Sequence, residues 1–304
     1  MWAGLAVTVP FGLKNDYKTD YFGRYDSTKS TFLAVDVAPT VAYRLSDRVS
    51  LGGAINFQRA DAELVNAIPN PLAPGGPSPA TDGTFTVEAD DWSIGFTAGI
   101  LVQAAPDLRI GVSYRSSVKH RLKGDATTEF AGTTTVQELT ADVDLPEIVS
   151  AGFAYDMTAD VTLLAQVNYY GWSSFEEVRL ELDDGSELAT VEDFRNVWGV
   201  SVGAQVRVDE SWTLRGGVEY DRSPSRDAFR STRIPDADRI WTAVGATYRI
   251  SDSVAVDLSF VHMFANSEPI NRTTAFPLLA TTVETVGTTK TSSNVLGIGL
   301  RGNF

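Results

Sequence analysis

The chain has 304 residues, 43% of them hydrophobic, with a mean hydropathy of −0.07, a net charge of −14 and no cysteine. No uninterrupted apolar run approaches the roughly 18 residues that a helical bilayer span requires, so a helical membrane protein is excluded. The acidic balance argues against a nucleic-acid partner, whose phosphates call for a basic face. The missing cysteines exclude a disulfide framework and thiolate metal ligation.

The opening residues, Met1-Trp2-Ala3-Gly4-Leu5-Ala6-Val7-Thr8-Val9-Pro10, read as a strand already under way. They lack the basic segment, continuous apolar stretch and small-residue cleavage site of a signal peptide. The expectation is that the natural protein carries an amino-terminal part ahead of Met1.

Alternating runs then predict about twelve strands, at 2–9, 30–45, 49–60, 91–103, 108–122, 142–156, 160–171, 194–208, 212–220, 238–250, 254–264 and 292–304. Five short turn signals join them in pairs: Ser46-Asp47-Arg48, Ala105-Pro106-Asp107, Met157-Thr158-Ala159, Asp209-Glu210-Ser211 and Ser251-Asp252-Ser253. Between them run long connections, near 10–28, 61–90, 123–141, 173–193, 221–237 and 265–291, which are rich in Pro, Gly, Asp, Ser and Thr. Acidic pairs such as Glu176-Glu177, Asp183-Asp184 and Glu192-Asp193 gather in or beside these connections. Short turns at one rim and long loops at the other are expected of an outer-membrane β-barrel, whereas a β-sandwich has no such bias.

Parity assigns the faces. Leu33, Val35, Val37, Val41, Tyr43 and Leu45 oppose Asp36, Thr40 and Arg44. Trp92, Ile94, Phe96, Ile100 and Val102 oppose Ser93, Thr97 and Gln103, while Val254, Val256, Leu258 and Phe260 oppose Asp257 and Ser259. The last strand alternates through Leu296, Ile298 and Leu300 to the terminal Phe304. A barrel strand needs only every second side chain to be apolar, so its span is invisible to mean hydropathy. Aromatic residues near strand ends (Tyr43, Trp92, Tyr114, Tyr155, Tyr169, Trp198, Trp212, Tyr220 and Tyr248) suit interfacial girdles. The fold class expected is all-β: a transmembrane antiparallel β-barrel forming a single domain over residues 1–304.

On the strand at 108–122, parity places Arg109, Arg115, Lys119 and Arg121 on the lumen face. Such a row either attracts a ligand carboxylate or balances lumen acids such as Asp36, Glu219 and Asp257. Both histidines, His120 and His262, fall on outward parity, which leaves no base for nucleophilic catalysis, and no enzyme activity is expected. Asp183-Asp184-Gly185 reads as a hairpin turn rather than a cation loop. The connection at 61–90 concentrates apolar residues, among them Leu64, Val65, Ile68 and Leu72. It is either a hydrophobic capture site or a lid folded onto other loops.

Four motifs carry a resemblance. Val9-Pro10-Phe11-Gly12-Leu13, Tyr114-Arg115-Ser116-Ser117-Val118-Lys119-His120, Gly171-Trp172-Ser173-Ser174-Phe175, and the stretch from Tyr220-Asp221-Arg222-Ser223-Pro224 through Arg233-Ile234-Pro235-Asp236-Ala237-Asp238-Arg239-Ile240-Trp241 resemble the FadL/TodX family of outer-membrane transporters for long-chain fatty acids and other hydrophobic compounds. The resemblance implies a fourteen-stranded barrel closed by an amino-terminal hatch. Ligand would be captured among extracellular loops and released sideways beside a kinked third strand. The strands read here would be the third to the fourteenth, with Trp2 to Val9 the kinked one and Gly4 its kink. Asp61 stands where the best-known fatty-acid member has an arginine, which leaves aromatic or neutral hydrophobic ligands open. The implied function is passive uptake of hydrophobic small molecules across a bacterial outer membrane, by a monomer in contact with membrane lipid and lipopolysaccharide and without cofactor or metal. A general porin for polar solutes is the alternative.

Overall fold

The computed structural model describes residues 1–302, so the terminal aromatic, Phe304, lies outside the described residues. Its strands are β1 (Trp2–Asp16), β2 (Lys29–Arg44), β3 (Val49–Ile68), β4 (Gly83–Ala105), β5 (Leu108–Arg115), β6 (Val118–Phe130), β7 (Thr133–Leu145), β8 (Ile148–Asp156) and β9 (Val161–Tyr170). They continue as β10 (Glu177–Leu182), β11 (Glu187–Val191), β12 (Val197–Arg207), β13 (Trp212–Asp221), β14 (Arg239–Arg249), β15 (Val254–Ala265), β16 (Glu268–Phe276), β17 (Thr281–Thr289) and β18 (Ser292–Gly302).

An antiparallel meander runs β1-β2-β3-β4-β5-β8-β9-β12-β13-β14-β15-β18. Each answers to a strand the sequence predicts, in the predicted order, except that the runs at 108–122 and 142–156 are divided, with residues 118–122 in β6 and 142–145 in β7. Among the described residues β1 and β18 are the two edges of this sheet. The remaining strands lie within the long connections, where sequence periodicity gave no strand of its own. The β6/β7 hairpin extends the wall upward, β10 and β11 add to its side, and β16 and β17 form a separate hairpin.

The faces follow from what each can touch. Ile94, Val244, Val202 and Ile55 are more than half exposed on the outside, while Ala34 and Asp36 are fully enclosed. The buried apolar cluster lies inside the long-loop half of the barrel, where Phe11, Ala34, Ala60, Val87, Ala89, Leu122, Ala141 and Leu145 meet.

Beside a register shift at Gln103/Ala105, next to the tight turn between β4 and β5, two bulges among the described residues interrupt the wall near the site. On β1, Thr8 pairs with Asp36 but Phe11 pairs with Ala34, so Val9 and Pro10 together oppose Val35. Proline has no N–H to give the ladder, which explains why the irregularity falls there. This corrects the expected kink at Gly4, which pairs regularly with Thr40.

The second bulge separates β5 from β6. Thr97 of β4 pairs with Arg115, yet Asp90 pairs with Lys123, a slip of one residue across Ser116-Ser117. The Ser116 hydroxyl takes up the displaced ladder by accepting the Phe96 N–H at 3.0 Å. One extra residue exchanges the faces of everything beyond it. Lys119 and Arg121 therefore stand on the outer surface, paired with Asp144 and Glu181, contrary to the lumen placement expected of them. His120, expected outside, is 1% exposed in the interior.

The connection at 61–90 is mostly strand. β3 and β4 continue in register up to Ile68↔Gly83, and only residues 69–82 form the loop.

Candidate functional site

An apolar cavity of about 460 Å³ lies inside the long-loop half of the barrel. Its walls are alternate residues of extended strands: Phe11 and Leu13 of β1, Phe32 of β2, Leu64 of β3, Val87 and Ala89 of β4, Leu122 of β6, Ala141, Val143 and Leu145 of β7, and Leu180 of β10. Small residues on β4 and β7 leave the space, and larger ones on β1, β2 and β10 close it.

Aromatic side chains from three separate segments form one flank. The short 3₁₀ turn Trp172–Ser174 sets the Trp172 ring edge-on against Phe11, Phe194 and Phe175, at centroid distances of 5.6, 5.7 and 6.2 Å. Phe175 and Phe194 lie 5.0 Å apart. Edge-to-face pairs of this kind hold rings in fixed orientation while leaving a wide apolar surface toward the cavity.

The opposite side is polar and comes from the motif at 220–241. Arg239 bridges Asp221 at 2.8 Å and Asp236 at 3.1 Å, and the Ser223 hydroxyl donates to Asp236 at 2.7 Å. Arg233 donates to the backbone carbonyl of Asp26 at 2.9 Å, and the Asp26 carboxylate accepts both the N–H and the hydroxyl of Thr232 at 2.6 Å. These bonds tie the loop at 17–28 to the loop at 222–238 and close the roof. Beside them Glu192 is 1% exposed, and burial pushes its carboxyl up to about 8, with Arg272 and Arg233 opposing the rise. Burial also lowers the Arg233 guanidinium, against the pull of Asp26 and Glu192.

Below the cavity a polar network crosses the interior. Asp36 accepts from Asn56 at 3.0 Å, from Gln58 at 2.6 Å and from Arg115. Gln58 turns its carbonyl to His120 Nε2 at 3.0 Å, and His120 Nδ1 faces the Asp91 carboxylate at 3.0 Å. Both histidine partners offer oxygen acceptors, so whichever ring nitrogen carries a proton finds one. Beneath this floor a wider lumen of about 1270 Å³ is lined largely by Ala, Gly, Ser and Thr.

The sequence-predicted site residues disperse accordingly. Leu64 lines the upper cavity, Val65 stands on the opposite face of the same strand, Ile68 ends β3, and Leu72 is 89% exposed in the loop. Arg109 and Arg115 line the lower lumen, each beside an acid, Asp156 and Asp36 respectively. Lys119 belongs to neither cavity. Asp61 also points outward and pairs with Arg59 at 2.8 Å, so the departure from the arginine pattern does not touch the chamber. Sequence reasoning missed the aromatic flank, although Gly171-Trp172-Ser173-Ser174-Phe175 was conspicuous as a motif.

Over residues 1–304 the sequence matches the family described as outer membrane protein transport protein (OMPP1/FadL/TodX). The chain belongs to the FadL/TodX family. It is 27% identical over 293 residues to a long-chain fatty acid transport protein of Escherichia coli O6:H1, covering 86% of this chain and 65% of that relative. It is 26% identical over 285 residues to outer membrane protein P1 of Haemophilus influenzae, covering 86% of this chain and 62% of that protein. The chain thus spans somewhat under two thirds of the length of these curated relatives. In fold it is similar to a Pseudomonas aeruginosa FadL homologue, with a TM-score of 0.90 at 21% identity, covering 99% of this chain and 74% of that one. It is also similar to the Pseudomonas putida toluene transporter TodX, with a TM-score of 0.71 at 11% identity, covering 99% of this chain and 78% of that one. FadL/TodX proteins are outer-membrane transport proteins, which places this chain in the outer membrane.

Proposed function

We propose that the protein takes up hydrophobic small molecules passively across the outer membrane. A ligand enters the apolar chamber from the extracellular loops and leaves sideways at the β1 bulge, without cofactor or covalent chemistry. One observation carries this reading: Pro10, Phe11, Gly12 and Leu13, at and beside the bulge, are themselves part of the chamber wall. A break in the strand ladder beside the ligand space supports a sideways exit there.

Fatty acids and aromatic hydrocarbons both fit the chemistry. The chamber removes apolar ligand surface from water at roughly 25 cal/mol per Å², before the ordering costs of binding. The floor of Asp36, Gln58, Arg115 and His120 disfavours the downward route, because an apolar solute there would strip polar groups of hydration and gain no partner. The protein acts as a monomer, held among membrane lipids.

The porin alternative draws on the wide lower lumen, but it predicted no apolar pocket under the loop that follows β3. Uptake of a radiolabelled long-chain fatty acid and of an alkylbenzene into liposomes holding the full-length protein separates the two. Uptake of either above that of an unrelated barrel supports the proposal. Uptake of neither, together with steady ion conductance in planar bilayers, favours the porin.

A further inference from the structure

One hairpin stands apart from the wall. Among the described residues β16 and β17 pair only with each other, from Glu268↔Thr289 to Phe276↔Thr281. The ladder that joins the other strands into one sheet does not hold this pair. The chain enters it through residues 266–267 and leaves through 290–291, short links that belong to no strand.

What holds the hairpin is its inner face. Ile270 and Thr285 are 3% and 2% exposed there, whereas Val286 on the outer face is 65% exposed. Arg272 donates to the carbonyls of Val191, which ends β11, and of Phe229, both at 3.2 Å. Arg230 donates to the Pro269 carbonyl and the Thr289 hydroxyl to the Pro235 carbonyl, again at 3.2 Å. Phe276 sets its ring edge-on to Tyr25 at a centroid distance of 6.3 Å, and the Phe22 ring lies against Gly287, where a Cβ would meet it at 2.9 Å. These hydrogen bonds stand at the long end of the normal range. The same face buries the hydroxyls of Thr274 and Thr285, which have no partner among the described residues. An unpartnered buried hydroxyl penalises the closed arrangement, and water satisfies it once the face lifts. Closure and release are therefore closely balanced.

The hairpin lies over the chamber roof. Pro235, held by Thr289, and its neighbour Ile234 line the chamber, as does Thr291 in the outgoing link. The incoming link is pinned, because the Asn266 N–H donates to the Asp238 carbonyl at 3.0 Å. We infer that the β16/β17 hairpin is a hinged lid, turning on residues 266–267 and 290–291, that uncovers the chamber to admit a ligand. Arg272 is its latch, since it alone reaches both β11 and the loop at 222–238. The access role rests on the chamber being the ligand space; the movement itself does not.

The chain has no cysteine, so introduced thiols report the movement directly, with the unsubstituted protein as blank. Thr285→Cys puts a thiol on the covered face in place of a hydroxyl without a partner, Val286→Cys marks the outer face, and Ala126→Cys, 1% exposed in the wall, reports global opening. Toward a methanethiosulfonate reagent, purified protein in lipid vesicles should react at Thr285→Cys more slowly than at Val286→Cys but at least about tenfold faster than at Ala126→Cys. Adding Arg272→Ala should quicken Thr285→Cys about tenfold again and leave the other two unchanged. Equal rates at positions 285 and 126, with Arg272 present and replaced, overturn the lid. Bridging Phe22→Cys/Gly287→Cys with a short bifunctional methanethiosulfonate should slow association of a fluorescent fatty-acid probe at least about tenfold, and reducing the bridge should restore it. Unchanged association after bridging, in protein that binds the probe unbridged, overturns the lid as entrance. Protein that binds no probe in either state removes the chamber reading and the access role with it, while the thiol rates still judge the movement.

Discussion

Replacing Trp172 with alanine tests whether the aromatic flank is a binding surface or only packing. The ring touches Phe11, Phe175 and Phe194 edge-on, and each such pair is worth about 0.5–1.5 kcal/mol, so the framework loses roughly 1.5–4.5 kcal/mol. The ligand loses separately. A tryptophan buries about 150–250 Å², and if about 50 Å² of that surface meets the ligand, 25 cal/mol per Å² gives about 1.2 kcal/mol, close to a tenfold rise in Kd. Fluorescence displacement of a bound fatty-acid probe from detergent-solubilised protein measures the second quantity, and urea unfolding in lipid vesicles measures the first. Trp172→Phe should restore most of both. A Trp172→Ala protein that unfolds more easily but binds the probe and an alkylbenzene with unchanged Kd would refute the chamber as the ligand site.

Asp36→Ala should destabilise the barrel by about 3–5 kcal/mol, because Asp36 is fully buried and its loss leaves Arg115, Asn56 and Gln58 without their acceptor; a loss under about 1 kcal/mol in urea unfolding would show that the floor is hydrated. Deleting Val9 removes the extra residue of the β1 bulge, so liposome uptake should fall to the protein-free rate while probe binding stays within about twofold; undiminished uptake would place the exit elsewhere. Glu192 supplies a pH dependence. Its carboxyl, raised from 4.5 to about 8, keeps its proton in the folded protein at pH values where the unfolded chain has lost it. Stability is therefore full below about pH 4.5 and declines as pH climbs toward 8, by at most about 5 kcal/mol. Glu192→Gln should flatten that decline, read as the thermal midpoint at pH 6 and pH 9; parallel curves for variant and wild type would contradict it.

The barrel was legible because lipid acts on every second side chain. Val254, Val256, Leu258 and Phe260 can alternate with Asp257 and Ser259 only where one face meets acyl chains and the other an interior that tolerates charge, and the five tight turns fix which rim is which. The chamber was less legible. Leu64 was found because an apolar run in an apparent loop draws attention, but its partners Phe11, Leu122, Leu145 and Phe194 are scattered through the chain and look like ordinary strand or loop residues.

The sequence by itself determined the twelve strands of the meander, their order, the apolar outer face of most of them and the family. Only the tertiary structure decided where the faces exchange. Strand parity is a local rule that one extra residue reverses, and although Pro10 marks a place where the ladder can break, neither it nor Ser116-Ser117 announces how many residues the neighbouring strand will set against them. That register is settled by hydrogen bonding across the ladder. It carried His120 inward, put Lys119 outside, and moved the break in β1 from Gly4 to the proline beside the chamber.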